Sequence, residues 1–224
     1  MILYAIPTPL GGRAQDALAP AAIAIVVSLR DFVVENAKTA RAFLSELGMP
    51  VRELNIVEIG KSTDGLAALR SGRSVGLLSE AGCPAIADPG ASLVEAAHRE
   101  GFKVVPLVGP SSLFLALMAS GLEGQRFAFC GYLPREKPER ERRIRDLERR
   151  SRLERETEIF IETPYRNDAL VASLLEAAKA STKLCVATDL TLPTESVASR
   201  TIADWRKIRP TIGKRPSVFL LYAG

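Results

Sequence analysis

The sequence predicts an α/β fold in two lobes, residues 1–120 and 125–224. Three observations predict it. Short apolar runs alternate with stretches of helical spacing. The alternation breaks at Ser120-Gly121-Leu122-Glu123-Gly124, a plausible linker, and then starts again. Several apolar runs end in loops rich in Pro and Gly, beyond the strand ends where an open α/β sheet takes its ligands.

In the first lobe, Ile2–Ile6 is an apolar strand that runs into Pro7-Thr8-Pro9-Leu10-Gly11-Gly12. A helical stretch and a strand around Phe32–Val34 follow. Thr39–Leu47 carries Ala40, Phe43, Leu44 and Leu47 at helical spacing, and Gly48 can close that helix. Asn55–Ile59 reads as a strand, Asp64–Leu69 as a short helix ending near Gly72, and Val75–Leu78 as a strand feeding the loop Ser79–Gly90. Ser92–Glu100 is helical, Lys103–Leu107 is a strand, and Leu113–Ala119 is an apolar helix. Such alternation argues for a mainly parallel sheet. In the second lobe the strands are Phe127–Cys130, Ile159–Ile161, Leu184–Ala187, Val197–Ile202 and Ser217–Tyr222. Asn167–Ala178 is a helix, and Arg135–Arg155 is a highly charged segment.

Composition narrows the classes. The chain has 224 residues, 47% of them hydrophobic and 25% charged, as in an ordinary globular protein. No apolar run approaches the roughly 18 residues of a membrane helix. The longest, Ala17–Val27, is interrupted by Pro20, and the first residues carry no basic group, so no secretory leader is expected. Cys83, Cys130 and Cys185 lie far apart without a CxxC pair, which disfavours a disulfide framework or a thiolate zinc site and fits a reducing cytoplasm; no metal is expected. The single histidine, His98, sits in the polar end of a helix before Gly101, where a basic group suits the helix C-terminus. A histidine-based triad would rest on that residue alone. The net charge of +4 is local: Arg135–Arg155 holds ten basic and six acidic residues, and the remainder is balanced. That segment reads either as a solvated helix laced with ion pairs or as a surface for an RNA backbone, with Tyr132 the one adjacent stacking ring.

Four loops are positioned to carry chemistry: Pro7–Gly12, Ser79–Gly90, Val108–Ser112 and Glu162-Thr163-Pro164-Tyr165-Arg166. Pro fixes the backbone and Gly permits close approach, so together they suit rigid walls against a ligand, although each alone is also ordinary turn chemistry. None is a phosphate cradle, since neither GxGxxG nor GxxxxGK[ST] occurs, and this disfavours an NAD enzyme or a P-loop ATPase. Asp88, in Ala87-Asp88-Pro89-Gly90, reads either as a catalytic carboxylate or as a turn former, and the turn is favoured.

At these loops the chain resembles the tetrapyrrole methylase superfamily of S-adenosylmethionine-dependent methyltransferases. It is most similar to the methyltransferase I branch, which methylates a ribose 2′-hydroxyl in bacterial small-subunit ribosomal RNA. The resemblance runs from Ile2 to about Leu221. It rests on Pro7–Gly11, on the highly specific string Ser79–Gly90, on Gly109–Ser112, on Gly131-Tyr132-Leu133-Pro134-Arg135 and on Glu162–Arg166. What it implies is two α/β lobes with S-adenosylmethionine in a cleft between them, and a homodimer. Carried over by motif, cofactor contacts fall on Pro9, on Glu80, Ala81, Gly82 and Ala85, and on Ser111 and Ser112, with Thr163, Leu190 and Pro216 near the adenosine. Two departures stand out. Where the ribosomal branch carries an acidic-Asp-Thr-Arg string, this chain has Glu35-Asn36-Ala37-Lys38. Members of that branch also continue past the last strand into a small helical region, so a short form with its own target is expected.

Methyl transfer to a hydroxyl needs alignment and loss of a proton. The sequence offers Glu35, Lys38, Glu162 and Tyr165 for acid–base or positioning work, with Tyr165 and Arg166 on the acceptor side. Three readings compete: a methyltransferase acting on ribosomal RNA, one acting on a tetrapyrrole-like small molecule, and a non-catalytic RNA-binding relative.

Overall fold

A computed structural model describes residues 1–60 and 64–224, which divide into two compact units, Met1–Ser111 and Ser112–Gly224. Among the described residues no helix is long and apolar enough to cross a membrane.

The first unit runs β1 (Ile2–Ile6), α1 (Ala14–Ala17), α2 (Pro20–Ser28), β2 (Asp31–Val34), α3 (Ala37–Glu46), β3 (Asn55–Glu58), α4 (Ala67–Arg70), β4 (Val75–Leu78), α5 (Ala91–Arg99) and β5 (Lys103–Pro106). All strands pair in parallel, in the order β3-β2-β4-β1-β5. Strands β2 and β4 are buried at every position, which is why they read as short apolar runs without alternation. Their side chains still alternate between faces. Phe32, Val34 and Leu78 join Ile6, Val26 and Leu44 in one core, while Val33 and Leu77 join Leu3, Leu69 and Ala97 in another. Asn36 caps α3, its Oδ1 accepting from the backbone N–H groups of Lys38 at 2.9 Å and Thr39 at 3.4 Å.

The second unit runs α6 (Ser112–Ser120), β6 (Phe127–Tyr132), α7 (Lys137–Glu154), β7 (Thr157–Ile161), a 3-10 turn at Pro164–Arg166, α8 (Asn167–Ala177), β8 (Lys183–Thr188), β9 (Ser196–Thr201), α9 (Ile202–Ile208) and β10 (Ser217–Tyr222). Its sheet has the order β6-β7-β10-β8-β9. Only β6 and β7 are parallel, and α7 supplies the crossover that such a pair needs. The other pairs are antiparallel, and a short turn suffices between β8 and β9. Helix α6 packs on β8, β9 and β10, so the division of the chain falls before this apolar helix rather than after it. On the other sheet face, Phe160 and Phe219 stack at 6.0 Å within a core shared by Ile144 and Leu147 of α7 and Leu170 and Leu174 of α8.

Helix α9 is unexpected from the sequence, where Ile202 reads as the end of a strand. Thr201 turns the chain by accepting from the Asp204 N–H at 3.2 Å, and Trp205 Nε1 donates to the Leu184 carbonyl at 2.8 Å. The helix is held by this buried indole rather than by its own propensity.

Candidate functional site

In the first unit, three loops meet at the carboxyl ends of β1, β4 and β5. Thr8 and Gly82 exchange both backbone hydrogen bonds, at 2.9 and 3.0 Å, clamping the loop that holds Pro9 to the loop that holds Glu80 and Ala81. Cys83 Sγ donates to the Pro110 carbonyl at 3.4 Å, which ties in the third loop. Gly109 lies so close to the first loop that a Cβ there would stand 2.5 Å from Pro7 Cβ and 2.9 Å from Leu18 Cδ2. Gly82 adopts φ 78°, where any other residue is strained. Ala85 and Ala87 are held at φ 65° and 64° without that freedom. Strain of this kind costs about 1–3 kcal/mol per residue and persists only where the surroundings enforce it.

Glu35, just past β2, reaches the same place. Its Oε2 accepts from the Glu80 N–H at 3.0 Å, and Glu80 Oε1 accepts from Thr39 Oγ1 at 3.4 Å. Asp88 completes a group of three carboxylates. Burial, followed by the negative charges of Glu35 and Glu80, pushes its carboxyl up to about 6, against a hydrogen bond from Ser79. This setting, half-buried beside two other carboxylates, is what the sequence could not supply for Asp88. The one signal for it was its place in the Ser79–Gly90 string. Lys38 is exposed on the first turn of α3, and His98 lies in the last turn of α5. Ser111 ends the first unit and Ser112 opens α6.

In the second unit, Glu162 is buried at the end of β7. Its Oε1 accepts from the Thr163 N–H at 2.6 Å, from Arg166 Nε at 2.9 Å and from Arg166 Nη2. These bonds make Glu162 the clamp of its loop. Arg166 Nη1 is enclosed and has no acceptor among the described residues. Tyr165 is 80% exposed, with Lys214 Nζ 4.9 Å above its ring. Leu190 is buried and Pro216 exposed, and the two are brought together by the Asp189 N–H donating to the Pro216 carbonyl at 2.9 Å. Thr163 is at the other strand end, on the Glu162 loop.

The charged segment is a single helix whose basic residues fall into two groups. Arg140 is buried: Nε donates to Ser173 Oγ at 2.9 Å and Nη1 to the Arg135 carbonyl at 2.6 Å. Arg150 is paired with the buried Glu158, Nε to Oε1 at 2.8 Å. Arg140 is closed off from any partner, and Arg150, though partly exposed, is already paired with a buried carboxylate. Arg142, Arg145, Arg149 and Arg152 are exposed and recur every three or four residues along one stripe. Arg149 has Asp146 at 3.2 Å and Arg145 has only a 4.0 Å contact to Glu141. The segment is therefore an ion-paired helix that also presents an arginine face.

Residues 3–205 match the family described as tetrapyrrole (corrin/porphyrin) methylases. A ribosomal RNA small subunit methyltransferase I from Vibrio cholerae is 30% identical over 91% of this chain and 69% of its own length. One from Mesorhizobium japonicum is 34% identical over 89% of this chain and 67% of its own length. The chain thus spans about two thirds of these relatives. Among solved structures, the methyltransferase CobJ shares the fold at a TM-score of 0.64 and 18% identity, over 99% of this chain and 93% of that one. The chain belongs to the tetrapyrrole (corrin/porphyrin) methylase family of methyltransferases.

Proposed function

We propose that this protein transfers a methyl group from S-adenosylmethionine to ribosomal RNA, at a ribose 2′-hydroxyl. The observation that carries the reading is the clamped set of strand-end loops in the first unit, in a chain whose relatives are named ribosomal RNA small subunit methyltransferase I. These loops suit the cofactor. Pro9, Ala81, Gly82, Ala85, Ser111 and Ser112 offer backbone rather than bulky side chains, and Gly82 and Gly109 hold that backbone close. Glu35, Glu80 and Asp88 supply negative charge for a cationic ligand. Bound there, S-adenosylmethionine supplies an electrophilic methyl group on a positively charged sulfur. The protein's part is to align the acceptor, for which proximity supplies roughly 7–11 kcal/mol, and to accept the hydroxyl proton. Asp88, its carboxyl pushed up to about 6 and so poised at neutral pH, is suited to the proton, with Glu35 beside it. Tyr165 and Arg166 are assigned to the acceptor side, positioned by Glu162, and Thr163, Leu190 and Pro216 to the adenosine.

The arginine face of α7 favours RNA over a tetrapyrrole, because arginines spread along a helix match a phosphate backbone better than the clustered carboxylates of one compact macrocycle. We assign the protein to the cytoplasm and to a homodimer. Exposed Phe114 and Met118 of α6, with Phe127 and Phe129 of β6, make an apolar surface suited to a second copy. Calorimetric titration with S-adenosylmethionine and with its demethylated product tests the cofactor, and radiolabelled methyl transfer to undermodified small ribosomal subunits tests the substrate. A folded protein that binds neither compound refutes the reading and leaves a non-catalytic RNA-binding relative.

A further inference from the structure

An open recess of about 460 Å³ lies in the second unit, lined by Tyr132, Leu133, Pro134, Arg135, Thr163 and Arg166. Its position is informative. Strands β6 and β7 are neighbouring and parallel, and the recess is built from the segments that follow their carboxyl ends, where α/β sheets take ligands. Its walls are fixed. The buried Arg140 guanidinium holds the Pro134 and Arg135 carbonyls, and the Glu162 clamp holds Thr163 and Arg166.

The chemistry of the lining points to one class of ligand. Tyr132 is 55% exposed, and among the described residues no ring or cation covers its face. Tyr165 next door differs, because Lys214 already occupies its ring. Arg135 is exposed, with no carboxylate partner among the described residues. Arg166 lines the recess as a second cation, and its enclosed Nη1 has no acceptor among the described residues. The one anion of the loop, Glu162, is spent on Arg166. A free aromatic face beside unspent cationic donors suits a planar, anionic ligand, and RNA presents such units where its bases are unpaired. Arg135 also lies two residues before α7, the helix that carries the Arg142–Arg152 stripe.

We propose that this recess receives one unpaired nucleotide of the RNA substrate, its base stacked on Tyr132 and its phosphate at Arg135. The proposal rests on the RNA reading above and adds to it a requirement for single-stranded substrate.

The test uses the full chain and a fluorescein-labelled ten-nucleotide oligoribonucleotide without self-pairing, with a blunt RNA duplex as control. Affinities are read by anisotropy for the parent, Tyr132→Ala, Tyr132→Phe and Arg135→Ala. Calorimetry with S-adenosylhomocysteine and light scattering accompany each variant. We expect Tyr132→Ala to weaken single-strand binding about 5- to 150-fold, the range for loss of one stacked base. Tyr132→Phe should restore it, because the ring remains. Duplex binding, S-adenosylhomocysteine affinity and oligomeric state should not change. Arg135→Ala should weaken binding and flatten its salt dependence. A Tyr132→Ala chain that binds the oligonucleotide like its parent overturns the proposal while leaving RNA methylation standing. So does one that loses S-adenosylhomocysteine affinity instead, which would make the recess part of the cofactor site, or one that changes oligomeric state, which would put the ring between copies. A parent chain that binds neither RNA overturns both the recess and the RNA reading.

Discussion

Replacing Gly109 by Ala adds one carbon atom where the structure has no room for it. Built on the present backbone, that Cβ stands 2.5 Å from Pro7 Cβ, 2.8 Å from Pro7 Cγ and 2.9 Å from Leu18 Cδ2. Contacts of this length do not occur between real carbon atoms. The leucine tip can swing away, but the proline ring has no rotamer to escape into. Relief must come from parting the Pro7–Gly12 and Val108–Ser112 loops. Overpacking of this kind costs about 1–3 kcal/mol, and here it also moves the residues assigned to the cofactor. Gly124 provides the control. It has no neighbour within 4 Å of its Cβ position and no positive φ, so Ala there should be neutral or stabilise by about 0.4–1 kcal/mol. Urea melts followed by circular dichroism give the stabilities, and calorimetry gives the affinity for S-adenosylhomocysteine. The expected result is a lower midpoint and weaker binding for Gly109→Ala alone. A Gly109→Ala chain with unchanged midpoint and affinity would refute the claim that close approach of these loops builds the site.

Three further outcomes follow from the same structure. The Asp88 carboxyl rises from 3.8 to about 6 on folding, so the native state holds its proton more tightly than the unfolded chain. Stability is therefore lost as pH rises from about 4 to about 6. The full shift corresponds to roughly 3 kcal/mol, which solvent screening of this half-buried group reduces to about 1 kcal/mol. Asp88→Asn should gain that much over its parent between pH 4 and pH 7 in paired urea melts, and a pH-independent difference would contradict it. Arg142→Ala with Arg152→Ala should lower RNA affinity and reduce the slope of log affinity against log salt by about 0.7–0.9 per arginine that meets a phosphate; filter binding across salt reads this, and an unchanged slope removes the α7 face from the interface. Buried Glu148 accepts from the Lys179 N–H at 2.7 Å and from the Thr182 hydroxyl. Glu148→Ala should cost about 1–3 kcal/mol through these orphaned donors, and denaturant melts that show no loss would contradict that account.

The parts legible in the sequence were those with local causes. Loops clamped at strand ends announce themselves by Pro and Gly, and β2 and β4 by unbroken apolar runs. What escaped depends on neighbours distant in the chain. Arg140 looks like any other arginine of a charged helix until Ser173 and the Pro134–Arg135 carbonyls close around it. Asp88 draws its setting partly from Glu35, on a different strand end. Helix α6 is apolar on nearly every side, so its pattern could not say which sheet it would join. Helix α9 is short and owes its place to bonds with distant partners, Trp205 to the Leu184 carbonyl and Arg206 to the Leu175 and Ala178 carbonyls.

The placement of β10 has a consequence for how the protein is made. This strand, Ser217–Tyr222, sits in the middle of its sheet, hydrogen-bonded to β7 on one side and β8 on the other. Until it is synthesised, β7 and β8 each face an open edge, and Phe160, Leu184 and Val186 lack the strand that covers them. The first unit has no such dependence, since its last strand ends at Pro106. At about 5–20 residues per second, translation leaves the second unit incomplete for on the order of ten seconds after the first can close. During that interval the nascent chain is a finished sheet followed by an unfinished one, and its exposure to misassembly is concentrated there.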